Sequence, residues 1–145
     1  MKTTVKVKKL TDSAITPKYG SDFAAGADLY ALDGATIMPG QSVLIHTGIS
    51  LEIPEGLVGL IFARSGLATK RGLAPANKVG VIDSDYRGEI MVCLYNQSRT
   101  EQTVESGERI AQISFVPYYT ADFVICDELD LTQRGEGGFG STGTK

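Results

Sequence analysis

Histidine and cysteine are scarce in this chain: His46 stands alone, and Cys93 and Cys126 are the only thiols in 145 residues. No C-x-x-C pair occurs, and His46 has no metal-ligand partner near it, which argues against a zinc site. No long apolar run is present, and the opening MKTTVKVKKL carries lysines without the apolar stretch of a secretory signal. These absences lead us to expect a soluble, reduced, cytoplasmic protein that does not enter a membrane. Asn96-Gln97-Ser98 fits the glycosylation pattern, but without a secretory signal it reads as chance. An excess of basic charge is missing too, with 14 Lys and Arg against 17 Asp and Glu for a net charge of -3. Duplex nucleic acid is normally held by a basic face, so it is not an expected partner; a small phosphate ligand, which needs few donors, stays open. Finally, helical periodicity is almost absent.

What recurs instead is the strand-length run. TVKVKKL, SVLIHTGISLEIP, LVGLIFA, EIMVCLYN, RIAQISFVP and DFVIC are rich in Val, Ile, Phe and Tyr, and turn signals such as MPG at 38–40 and PEG at 54–56 separate them. Many short strands at this spacing predict an all-β fold, a sandwich, jelly roll or small antiparallel barrel. SGLATKRGL has room for a helical turn or two between strands. The composition changes at Arg134: RGEGGFGSTGTK holds five glycines in twelve residues and no hydrophobic period. We therefore expect a single β domain over 1–133 followed by a flexible glycine-rich arm over 134–145.

Five stretches carry polar residues in unusual settings. AGADLYA places Asp28 between small and apolar residues, as a turn aspartate or an ion-pair partner would be. ARSGL ends a strand on Arg64, Ser65 and Gly66, a guanidinium, a hydroxyl and free amides suited to an anion, or simply a strand exit with a solvated arginine. GERIAQISF alternates Ile110, Gln112 and Ser114 against Ala111, Ile113 and Phe115; the second face suits the core, so Gln112 points to solvent or to a ligand. NKVGVIDSDYRGEI puts Val79, Val81 and Asp83 on one face, so that Asp83 ends an apolar wall. Partial desolvation there would raise its pKa and make it a proton acceptor. Asp85 reads as a turn residue and Gly88 as the glycine closing a β-hairpin, and a plain hairpin with two turn carboxylates fits the same spacing. In the arm, Gly135, Gly137 and Gly140 satisfy G-x-G-x-x-G without the strand and helix a dinucleotide fold requires. Its arginine, aromatic and hydroxyls among glycines fit a disordered tail or a lid that orders on a ligand.

In this order, AGADLYA, ARSGLA, NKVGVIDSDYRGEI, GERIAQISF and RGEGGFGSTG resemble the five motifs of the trimeric deoxyuridine triphosphatase (dUTPase) family, over residues 25 to 143. The resemblance implies a jelly-roll-like β fold, a homotrimer with active sites shared between subunits, and Mg²⁺-assisted hydrolysis of dUTP to dUMP and pyrophosphate. It casts Asp83 as the base that activates water. Asn77 and the backbone of the 79–91 segment, Gly80 and Met91 included, would read uracil, and Tyr86 would pack under the deoxyribose. Arg64, Ser65, Gly66 and Gln112 would hold the phosphates, with Asp28 supporting Arg64. From the arm, Arg134, Ser141 and Thr142 would close over the terminal phosphate while Phe139 stacks on the base. No protein metal cluster is implied, since Mg²⁺ binds mainly through substrate phosphates and waters. Two rival readings are a dCTP deaminase, which would need a catalytic glutamate in the hairpin region, and a catalytically silent nucleotide-binding regulator.

Overall fold

A computed structural model, which describes residues 2–139 and 141, turns these runs into short strands with one helix between them. In chain order the elements are β1 (Lys6–Lys9), β2 (Lys18–Tyr19), β3 (Ala27–Tyr30), β4 (Ala35–Ile37), β5 (Ser42–Glu52), β6 (Leu57–Phe62), α1 (Ser65–Arg71), β7 (Leu73–Pro75), β8 (Gly80–Ile82), β9 (Glu89–Asn96), β10 (Gln102–Val104) and β11 (Arg109–Pro117). They form three antiparallel sheets, ordered β1-β5-β9-β7, β10-β4 and β2-β3-β11-β6-β8. The two larger sheets face one another across a core of Leu29, Ile37, Ile49, Ile90, Leu94, Ile110 and Ile113, a jelly-roll-like sandwich.

Strand β9 shows why the sequence folds this way. Its burial alternates strictly, sending Ile90, Val92, Leu94 and Asn96 inward. Asn96 is fully buried yet fully satisfied: its amide donates to the carbonyls of Ile37 (2.9 Å) and Thr100 (2.8 Å), and its oxygen accepts from Ser98. That side chain closes a turn and offers no acceptor site for a glycan, which explains the Asn-Gln-Ser pattern structurally.

Two strands depart from alternation, each with consequences for the site. In β5 the register with β9 jumps between His46 and Ser50, and Gly48 takes a left-handed φ of 69° within the irregularity. In β11 a bulge falls between Arg109 and Ala111, which carries Ile110 into the core together with Ala111 and Ile113. The simple two-face division of GERIAQISF is thereby corrected, although Gln112 does point away from the core.

The expected strand DFVIC does not form. Residues 118–133 contain no ladder, and Phe123 and Ile125 are 96% and 98% exposed. β11 pairs with β3 up to Ile113 and with β6 up to Pro117, and the segment that follows joins none of the three sheets. The short helix expected in SGLATKRGL is present as α1, ended by Gly72 in a left-handed cap that donates to Ala68.

Candidate active site

Sheet register assembles the first cluster. Gln112 on β11 lies opposite Asp28 on β3 and, on its other side, opposite Phe62 on β6. Three segments far apart in sequence therefore meet in one row. Two residues beyond Phe62 the chain leaves β6, and Arg64 folds back along the row to donate its Nε–H to Asp28 Oδ1 at 2.8 Å. Arg109 donates to the other oxygen, Oδ2, at 3.3 Å, and Arg64 also donates to the Arg109 carbonyl. Gln112 donates its amide to the Ala63 carbonyl at 3.0 Å, fastening the strand end that carries Arg64. Gly26 makes this possible, because a Cβ there would stand 2.8 Å from Gln112 Oε1. One buried carboxylate thus neutralises one of two guanidinium charges, and a positive charge is left over. Ser65 and Gly66, the exposed first turn of α1, flank it, with open space around Gly66.

The second cluster forms where the two large sheets part. β8 pairs with β6, whereas β9 pairs with β5. Residues 83–88 therefore cross from one sheet to the other, and the expected hairpin ladder between β8 and β9 does not exist among the described residues. The crossing opens two adjoining cavities that share Asp83. One, of ≈ 210 Å³, is walled by Val81, Tyr86, Glu89 and Met91; the other, of ≈ 640 Å³, by Asp85, Arg87 and Tyr118. Asp83 is exposed rather than partly desolvated, and Val81 beside it is 62% exposed. The chain alone does not desolvate this carboxylate, because the apolar wall below it faces an open cavity. Among the described residues its oxygens accept no hydrogen bond, so they are free for water or ligand. Tyr86 donates its Oη–H to the Glu89 carbonyl at 3.0 Å. Asn77 is exposed next to Gly80, within 3.5 Å of where a Gly80 Cβ would sit.

Glu89 was not singled out in the sequence, yet it braces this crossing. Its Oε1 accepts from the Gly48 amide at 2.8 Å, filling the gap that the β5 irregularity opens, and His46 Nδ1 lies 2.8 Å from Oε2. Burial pushes the Glu89 carboxyl up, but the hydrogen bonds from His46 and from the Gly48 and Thr47 amides outweigh it and hold the group below the ordinary glutamate value. Arg109 and Gly26 were missed as well. Alternation places Arg109 on the face opposite Gln112, and only the bulge turns it toward Asp28.

The arm residues join neither cluster within this chain. Arg134 donates to the carbonyl of Gly137 at 2.7 Å, Ser141 donates its amide to Gly138, and Phe139 is exposed with a left-handed φ of 48°. Thr142 lies outside the described residues. No group of three His, Cys, Asp or Glu side chains that could hold a metal occurs among the described residues.

Comparison with known proteins decides what these clusters belong to. A family model described as dUTPase matches residues 12–143. The chain belongs to the dUTPase family. It is 56% identical over 130 residues to the deoxyuridine 5'-triphosphate nucleotidohydrolase of Desulfitobacterium hafniense, a match covering 88% of this chain and 86% of that one. Against the protein of the same name from Escherichia phage T5 it is 50% identical over 145 residues, covering 94% and 97%. The fold is similar to that of the Staphylococcus bacteriophage 80alpha dUTPase bound to dUPNHPP, with a TM-score of 0.91, 29% identity, and coverage of 98% and 99%. It also resembles the dUTPase of phage phi11 of S. aureus, a structure that records the coordination of a structural Mg(II) ion, with a TM-score of 0.81 at 23% identity and coverage of 89% and 100%. The chain is accordingly a hydrolase of nucleotide metabolism, with the all-β jelly-roll fold of its family.

Proposed function

We propose that Asp83 takes a proton from the water that attacks the α-phosphorus of dUTP, releasing dUMP and pyrophosphate. The observation that carries this reading is the position of Asp83, an unengaged carboxylate shared by two cavities at the line where the sheets part. In-line displacement at phosphorus asks for positioning and charge stabilisation more than for covalent chemistry. Arg64, with Ser65, Gly66 and Gln112 beside it, supplies the donors for the phosphate chain, and Asp28 fixes the guanidinium. Asn77, Gly80 and Met91 contact the base, and Tyr86 packs against the deoxyribose. Both Asp28 oxygens are already engaged by arginines, and the carboxylates of Asp83, Asp85 and Glu55 around the larger cavity do not gather into a three-ligand group, a donor set that suits Mg²⁺ carried in on the triphosphate rather than held in a protein cage. When bound, the ion neutralises charge on the phosphates.

The active unit in this reading is a homotrimer with shared sites, working in the cytoplasm. Its support is the apolar run after β11: Phe123, Ile125 and Leu131 are almost wholly exposed, and a second copy would cover them. The body over 1–133 then delivers the 134–145 arm, with Arg134, Phe139, Ser141 and Thr142, to a neighbour's site. No helix among the described residues is long and apolar enough to cross a membrane. A dCTP deaminase is disfavoured because the glutamate at the crossing, Glu89, is tied to Gly48 and His46.

The test is pyrophosphate release from dUTP, dTTP, dCTP and UTP, with and without Mg²⁺. Turnover of dUTP alone, abolished in Asp83→Asn, is the expected result. Ammonia from dCTP, or an Asp83→Asn variant as active as the parent, overturns the reading.

A further inference from the structure

We propose that Gly88 is a specificity-determining residue that acts through Tyr86: its missing side chain is the seat in which the tyrosine ring lies. This inference rests on the reading of Tyr86 as the residue under the sugar. A Cβ on Gly88 would stand 2.3 Å from Tyr86 Oη, 2.5 Å from Cζ and 2.9 Å from Cε2. No other described glycine has so close a neighbour; the next, at Gly26, is 2.8 Å. The φ of Gly88 lies outside the left-handed region, so an alanine would meet no left-handed strain there. Turn geometry, the role its position suggests, does not call for glycine at this point. Space for the ring does.

The other side of the ring's placement is set by a hydrogen bond. Tyr86 Oη donates to the carbonyl of Glu89, the residue immediately after Gly88, at 3.0 Å. The ring therefore crosses back over 88–89, while the Tyr86 amide donates to the Asp83 carbonyl at 3.2 Å and closes the turn beneath it. Held in this way, the ring walls the smaller cavity beside Asp83, Val81 and Met91. A methyl at position 88 cannot coexist with the ring in this pose, because 2.3 Å is far inside van der Waals contact and the clashing atoms belong to a rigid plane. The ring has to swing off its seat, surrender the bond to Glu89 and unwall the cavity. A wall that excludes a 2′-hydroxyl by contact fails once it can move.

Gly88→Ala is expected to raise the ratio of kcat/KM for UTP over dUTP by about tenfold or more, the scale of a single lost discriminating contact. The unfolding midpoint should stay close to that of the parent. Tyr86→Ala should relax discrimination by a similar factor, and the double variant should relax it no further. Nuclear Overhauser contacts between the Tyr86 ring and the residue 88 α-protons, strong in the parent, should weaken in Gly88→Ala. A ring that keeps its contacts in Gly88→Ala overturns the seat. Unchanged discrimination in Gly88→Ala alongside relaxed discrimination in Tyr86→Ala overturns this inference alone. Unchanged discrimination in Tyr86→Ala overturns the sugar reading beneath it.

Discussion

Arg64 donates its Nε–H to Asp28 Oδ1 across 2.8 Å, linking the exit of β6 to the middle of β3. Because Arg109 claims the other oxygen, the carboxylate is the hub of a two-cation cluster. Asp28→Asn leaves two guanidinium groups facing a neutral amide that keeps one acceptor. Breaking a fully buried pair costs more, but the Arg109 side chain is 52% exposed. The expected loss is on the order of 1–3 kcal/mol in denaturant unfolding. A misaimed Arg64 should also lower kcat/KM for dUTP by about tenfold per 1.4 kcal/mol of lost binding. Steady-state kinetics beside urea titration checks both.

Glu89 makes stability depend on pH in one direction. Its folded pKa is lowered, so its contribution is fully present above the unfolded value and is lost as pH falls through the folded one. The facing group is His46 on β5, and the Gly48 amide holds the other oxygen. Glu89→Gln imitates the protonated acid. At neutral pH the variant should be less stable by about 1.5–3 kcal/mol, the scale of a hydrogen bond to a charged group. As pH falls through the folded value of Glu89, the gap between variant and parent should close. A gap that persists in acid means that the carboxylate charge is not what braces the crossing.

Much of this fold was legible because alternation is local. EIMVCLYN reads as a half-buried strand residue by residue, and it is one. Arg64, Gln112 and Asp28 were identifiable as polar residues in strand settings, but their convergence depends on register between β3, β11 and β6, which no single segment encodes. The failures have the same cause. The bulge in β11 hid Arg109. The division of β8 and β9 between two sheets is a long-range choice that the turn signal DSDYRG does not reveal, so that signal reads as a simple hairpin. DFVIC has every local mark of a strand, but no strand among the described residues pairs with it.

Gly26 offers a clean probe of Gln112. An alanine Cβ would stand 2.8 Å from Gln112 Oε1 and 3.2 Å from its Cβ, so the amide must leave the Ala63 carbonyl. Gly26 has no left-handed φ, which separates crowding from backbone strain. With Gln112 displaced, the phosphate chain loses the donor proposed for it and Arg64 loses the fastening of its strand end. We expect KM for dUTP to rise about tenfold, with a smaller change in kcat, as loss of uniform binding dictates. A kcat effect without a KM effect would place Gln112 at the transition state instead.

Removing residues 134–145 separates the arm from the body. The hydrogen bonds of Arg134 and Gly135 stay within 132–137, and no element of the three sheets lies beyond Pro117 among the described residues. Truncation should therefore leave the β-sheet circular dichroism and the unfolding midpoint unchanged. Turnover should fall steeply, because Arg134, Phe139, Ser141 and Thr142 leave together and nothing excludes water from the phosphates. If the arm acts on a neighbour's site, the sign is specific. Mixing the truncated chain with full-length Asp83→Asn, each nearly inactive alone, should restore activity, since mixed assemblies contain sites with an intact Asp83 closed by an arm from the other chain. Absence of complementation after subunit exchange, shown by mixed oligomers on native mass spectrometry, would mean that each arm serves its own subunit.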